Sequence, residues 1–100
     1  MSWSLRRTEQ AIDDLADIYE YIASDNPDAA ERLVLSLVSA FDRTADYPEI
    51  GRSAEQVGPG FRLLSRGNYL LINRVLLDEH CIELLRVVHR ARDWPSLLNS

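Results

Sequence analysis

One hundred residues can build one hydrophobic core but not two, and 46% hydrophobic with 27% charged side chains is ordinary for a soluble globular chain. A net charge of −5 argues against a general nucleic-acid binder, and Cys81, the only cysteine, excludes an internal disulfide and a cysteine-built zinc site. The charge is unevenly divided: residues 1–50 hold 4 arginines against 11 acids, residues 51–100 hold 7 against 5, and there is no lysine.

No apolar run follows the arginines of "MSWSLRRTEQ", so no secretory signal is expected. The longest mostly apolar stretch, Leu33 to Phe41, is broken by Ser36 and Ser39 and falls far short of the ~20 residues that span a bilayer. The expectation is a single domain over residues 1–100, cytoplasmic and off the membrane.

"SWSLRR" at 2–7 reads as a short strand with Trp3 and Leu5 facing one way. Thr8 is a helix N-cap, and Ala11, Leu15, Ile18 and Ile22 draw one apolar stripe, with Asp13, Asp14, Asp17 and Glu20 elsewhere on the wheel. Asn26 caps a second helix with Pro27 at its first position and Ala30, Leu33, Leu37, Val38 and Phe41 inward; it is expected to run to about Asp46. The short link makes the two helices an antiparallel hairpin. "YPEIGR" ends the second helix, and "GPG" at 58–60 is a loop.

The period then becomes two. "FRLLSR" at 61–66, "YLLINRVLL" at 69–77 and "CIELLRVVH" at 81–89 read as strands, joined by the turns "GN" and "DEH". Leu97 and Leu98 in "WPSLLNS" are expected to pack as one helical turn. The fold class is therefore α+β: β-α-α-β-β-β, with a helical hairpin packed on a small, mostly antiparallel sheet and a short C-terminal helical tail.

At this point five ordered features resemble a known family. The first strand, "LADIYEYIASDNPDAAERL", "DYPEIGR", "GFRLLSRGNYLLINRV" and "IELLRVVHRARDW", spanning roughly residues 3–94, are similar to the ParE branch of the RelE/ParE toxins. These are the toxic halves of bacterial toxin–antitoxin pairs. The resemblance implies a ParD-like antitoxin partner that wraps the toxin, DNA gyrase as a target poisoned by binding, no cofactor, and contact with DNA only through the antitoxin complex. Two residues depart from the pattern. Arg90 replaces the glycine that usually follows the histidine, which implies an ordinary backbone there, and Asn73 stands where an aromatic residue is common.

Two kinds of site follow. The RelE branch cuts mRNA on the ribosome, and metal-free cleavage needs a base, an acid and cations around the phosphate. His89, Tyr69, Arg62 and Arg86 are the candidates for that alternative, with Arg66 sharing Arg62's face and Arg90 sharing Arg86's by the two-residue period. A lysine-free, acidic chain fits that chemistry less well, so no catalytic residue is expected, and no metal site, because His80 and His89 lie at opposite ends of one strand. Arg86, inside an apolar strand, calls for an acid from the helices or covers the sheet with its stem.

The binding alternative needs surfaces. His89, Arg90, Arg92, Asp93 and Trp94 are the expected target contacts, although Trp94 also reads as a core lid and Asp93 as a partner of Arg90 or Arg92 or a cap of the tail helix. Tyr19, Tyr21, Val34, Leu35 and Val38, which widen the apolar face of the hairpin, are the antitoxin-binding candidates, with Arg62 and Arg66.

Overall fold

The computed structural model describes residues 2–98, without the side chains of 97 and 98, so the expected packing of Leu97 and Leu98 lies outside the described residues. In chain order the elements are β1 (Ser4–Arg7), α1 (Glu9–Ala23), α2 (Pro27–Asp42), a 3-10 turn (Arg43–Ala45), β2 (Arg52–Ser53), β3 (Phe61–Arg66), β4 (Tyr69–Leu76), β5 (Cys81–His89) and α3 (Trp94–Leu98). The sheet order is β1-β5-β4-β3-β2, and only the β1–β5 pairing is parallel. The α+β class and the mostly antiparallel sheet are as the sequence predicts.

Thr8 starts α1 and anchors it. Its hydroxyl accepts the Ala11 N–H at 3.0 Å and donates to the Leu85 carbonyl of β5 at 2.8 Å. Asn26 starts α2 by accepting the Ala29 N–H at 3.1 Å, with Pro27 in the first turn. Ala11 of α1 and Leu37, Ala40 and Phe41 of α2 pack on Leu64, Leu71, Ile82, Leu84 and Val87, and Trp3 with Leu5 of β1 closes the edge. The opposite face of the sheet carries a second cluster, Ala54, Leu63, Leu70, Ile72 and Val88, against which Phe61, Leu85 and Trp94 pack. This two-sided burial explains why β4 and β5 read as nearly continuous apolar runs rather than alternating ones.

Five details differ from the sequence expectation, the first being that β1 starts at Ser4 rather than at Ser2. α2 stops at Asp42, not Asp46, and tightens into the 3-10 turn: buried Thr44 turns its hydroxyl back to the Phe41 carbonyl at 2.6 Å, a local bond that competes with the helical ladder. β4 ends at Leu76, because Leu77 belongs to a turn that closes at His80, whose φ is +49°. The two-residue strand β2 had no sequence signal of its own; Arg52 and Ser53 are held against Leu63 and Arg62. Finally, β5 carries a bulge. Ile72 pairs with Arg86 and Asn73 with Leu84, which leaves Leu85 unpaired, so Leu84 and Val87 both reach the helix side.

Candidate functional site

Strand pairing gathers one end of the sheet into a polar row. Arg66, Tyr69 and His89 are cross-strand partners on β3, β4 and β5, beside the Gly67–Asn68 turn. The Tyr69 and His89 rings meet edge to face, centroids 5.5 Å apart at 74°. Beyond His89 the chain turns back on itself: Arg90 N–H donates to the Asn68 carbonyl at 2.8 Å and Arg92 N–H to the His89 carbonyl at 2.9 Å. The backbone at Arg90 is ordinary, since His80 is the one described non-glycine residue with positive φ.

His89 is committed to one tautomer by this turn. Its Nδ1 accepts the Ala91 N–H at 3.1 Å, so the ring proton of the neutral imidazole sits on Nε2. The side chain is exposed and, in that tautomer, turns its Nε2–H outward. Arg66 is exposed, its Nε donating to the Ser36 hydroxyl at 2.8 Å, and Arg90 Nη1 reaches the Gly67 carbonyl at 3.5 Å. Among the described residues, Arg66, Arg90 and Arg92 have no carboxylate within ion-pair distance. Asp93 is exposed and makes no ion pair with Arg90 or Arg92, nor a side-chain cap; its backbone carbonyl accepts the Ser96 hydroxyl at 2.9 Å. Trp94 is half-buried and packs on the second core cluster, the lid role read from its position near the chain end.

The four nuclease candidates are not assembled. Tyr69 and His89 touch, but Arg62 lies four residues from Arg66 along β3, about 13 Å at ~3.3 Å per residue. Arg62 is half-buried, and its Nη2 donates to the Glu49 carbonyl at 2.6 Å and the Gly51 carbonyl at 3.1 Å, clamping the elbow after α2. Its Nε and the Oδ1 of cross-strand Asn73, 2% exposed, both lack partners. Arg86 falls in the row of Leu63 and Ile72 while Arg62 falls in the row of Asn73 and Leu84, so the bulge puts them in rows of opposite facing.

Arg86 has a structural partner that the sequence left open. Its Nε and Nη2 donate to the two oxygens of Asp14 on α1 at 2.8 and 3.0 Å, a bidentate pair with both side chains about 15% exposed. Asp14 also accepts the Val87 N–H at 2.9 Å. β1 covers β5 only as far as Leu84, and Asp14 takes over where the neighbouring strand ends. The hydrogen bonds that Arg86 donates to Asp14 hold its guanidinium pKa above the ordinary value, against the opposing effect of burial.

The helical hairpin keeps an uncovered apolar surface. Tyr19, Tyr21 and Leu35 are 40%, 81% and 57% exposed, whereas Val34 and Val38 are half-buried. Sequence reasoning passed over Ile12, 52% exposed. Its signal was present: Ile12, Ala16, Tyr19 and Ala23 recur at spacings of 4, 3 and 4, a second stripe beside the core stripe, while Tyr21 lies on the opposite side of the helix. At the other end of the sheet from His89, an open cleft of about 560 Å³ is lined by Glu49, Glu55, Asp78 and Glu79 with Arg62 and Arg74. No described helix is long and apolar enough to cross a membrane.

A helical hairpin on a five-stranded mixed sheet is the architecture of the RelE/ParE toxins. A solved structure described as the chromosomal ParDE system from P. aeruginosa superposes with a TM-score of 0.72 at 26% identity, covering 88% of this chain and 96% of that one. The sequence model of the ParE toxin of the type II toxin–antitoxin system parDE matches residues 5–94, and the chain belongs to that family: it is a toxin of a type II toxin–antitoxin system. Toxin ParE1 of Mycobacterium tuberculosis is 41% identical over 66 residues, 66% of each chain. A relative named Toxin RelE2, from Caulobacter vibrioides, is 47% identical over 85% of this chain and 92% of its own.

Proposed function

We propose that the chain is a cytoplasmic ParE-like toxin that inhibits DNA gyrase by protein binding, without chemistry of its own, and is neutralised by a cognate ParD-like antitoxin. The observation that carries this reading is the commitment of His89 Nδ1 to Ala91 N–H, with Arg62 and Arg86 engaged elsewhere. A metal-free nuclease needs a base and cations converging on one phosphate, and here the base nitrogen is occupied and the two guanidinium groups are tied to a loop and a helix.

For the antitoxin, the second stripe of α1, together with Leu35, offers apolar surface to a partner helix, and the acids of residues 1–50 complement a basic segment. The 41% identical relative named ParE1 supports the same reading. The relative named RelE2 favours a second one, a ribosome-dependent mRNA endonuclease using His89, Tyr69, Arg62 and Arg86.

Purified protein added to gyrase supercoiling and cleavage-complex assays, and separately to translating ribosomes with primer extension on the mRNA, distinguishes the two. The expected result is loss of supercoiling with intact mRNA, unchanged in kind for His89→Gln. Codon-phased cuts abolished by His89→Ala, with gyrase unaffected, overturn the proposal.

A further inference from the structure

The Arg66–Tyr69–His89 end of the sheet has a property that gyrase binding does not by itself require: it carries three exposed guanidinium groups. Arg66, Arg90 and Arg92 are exposed guanidinium groups without a carboxylate partner among the described residues, and the free edge of His89 is the Nε2–H. Asp93 is the one carboxylate within this stretch, and it neutralises none of them. The register fixes the spacing: adjacent strands are ~4.8 Å apart, so Arg66 and His89, two strands apart, are separated by about 10 Å at the backbone.

We propose that this end of the sheet docks on the phosphate backbone of duplex DNA. Rigid, planar donors on a turn braced by backbone hydrogen bonds are suited to phosphate oxygens, which only accept. A duplex fits better than a single strand, because among the described residues here His89 is the one exposed aromatic ring, and a single strand is held by bases stacked on several. Tyr69 is half-buried and edge-on to His89, and Trp94 is packed on the core. The net charge of −5 does not oppose the contact uniformly, since Glu49, Glu55, Asp78 and Glu79 sit at the far end of the sheet.

The reading goes beyond the choice of gyrase as target and does not depend on it. The test is anisotropy of a labelled short duplex titrated with the full chain over a range of salt. Three neutralised phosphates give a log–log slope of about −2.7, which is about a 40-fold loss of affinity between about 50 and about 200 mM salt. Arg66→Ala, Arg90→Ala and Arg92→Ala are each expected to flatten the slope by about 0.9, and the triple variant to abolish most of it.

Arg74→Ala is the control, because it makes the same change in net charge at the acidic cleft. Equal loss in Arg74→Ala and Arg90→Ala, or tighter binding of single-stranded RNA than of the duplex, overturns the proposal. Circular dichroism and thermal melts verify that each variant is folded. Supercoiling assays on the same proteins separate the two readings. A chain that holds DNA in this way but leaves gyrase untouched supports the proposal and retires the target. Gyrase inhibition without any arginine-dependent hold on DNA does the reverse.

Discussion

Asp14→Ala is expected to be among the most destabilising polar substitutions in the chain. The carboxylate serves three donors at once: Arg86 Nε and Nη2 and the Val87 N–H. With both side chains about 15% exposed, its removal leaves a guanidinium and a strand N–H desolvated without an acceptor. Breaking a buried pair on one side costs ~3–5 kcal/mol, and an orphaned N–H adds ~1–3 kcal/mol. Residual solvent access and relaxation of the Arg86 side chain bring the sum down to about 3 kcal/mol.

Urea unfolding at neutral pH reads this directly: with a slope of about 1–2 kcal/mol per M, the midpoint falls by about 2 M. Arg86→Met combined with Asp14→Ala removes the stranded charge and is expected to recover about 1–2 kcal/mol relative to the sum of the single changes. Because Asp14 raises the Arg86 pKa, that arginine's share of stability is complete below its unfolded value and is lost only as pH rises through the folded one. The cost of Asp14→Ala should therefore be the same at pH values from about 7 to about 10. A midpoint shift below about 0.5 M, or a double variant no better than the sum, refutes the edge-sealing role assigned to Asp14.

Phe41→Ala, at a fully buried position on the inner face of α2, is expected to cost ~3–5 kcal/mol in the same unfolding assay. Gly51→Ala should cost at least ~2 kcal/mol, because φ is +90° and an added Cβ runs into the Leu63 carbonyl oxygen; the elbow clamped by Arg62 would have to open. Ile12→Asp with Tyr19→Asp should leave the unfolding midpoint within about 1 M of the parent yet weaken capture of the cognate antitoxin at least tenfold, measured by calorimetric titration.

The helix starts were legible at single residues. Thr8 and Asn26 cap through contacts three residues away, and Pro27 needs no partner for its nitrogen, so local chemistry sufficed. The Gly67–Asn68 turn was legible for the same reason. The end of α2 was not, because the Thr44 hydroxyl bond that tightens the last turn forms in a buried setting that a linear pattern does not describe. The second apolar stripe of α1 was legible and passed over, since its members flank the core stripe and one reading of the wheel merges them. The pairing of Arg86 with Asp14 spans 72 positions of sequence, and no local rule selects Asp14 over Asp13 or Asp17.

The sequence by itself determined the α+β class, both long helices and the three long strands, because these rest on periodicity, capping and turn chemistry that act over a few residues, and its resemblance to the ParE branch pointed to the toxin family. Only the tertiary structure decided what the polar residues do. The bulge at Leu85 shifts the facing of every later residue of β5. The parallel β1 ends at Leu84 and leaves an edge for Asp14 to seal. The turn after His89 occupies its Nδ1. Each is a matter of register between segments far apart in the chain, and a register shift of one residue reverses the facing of a side chain without changing a letter of the sequence.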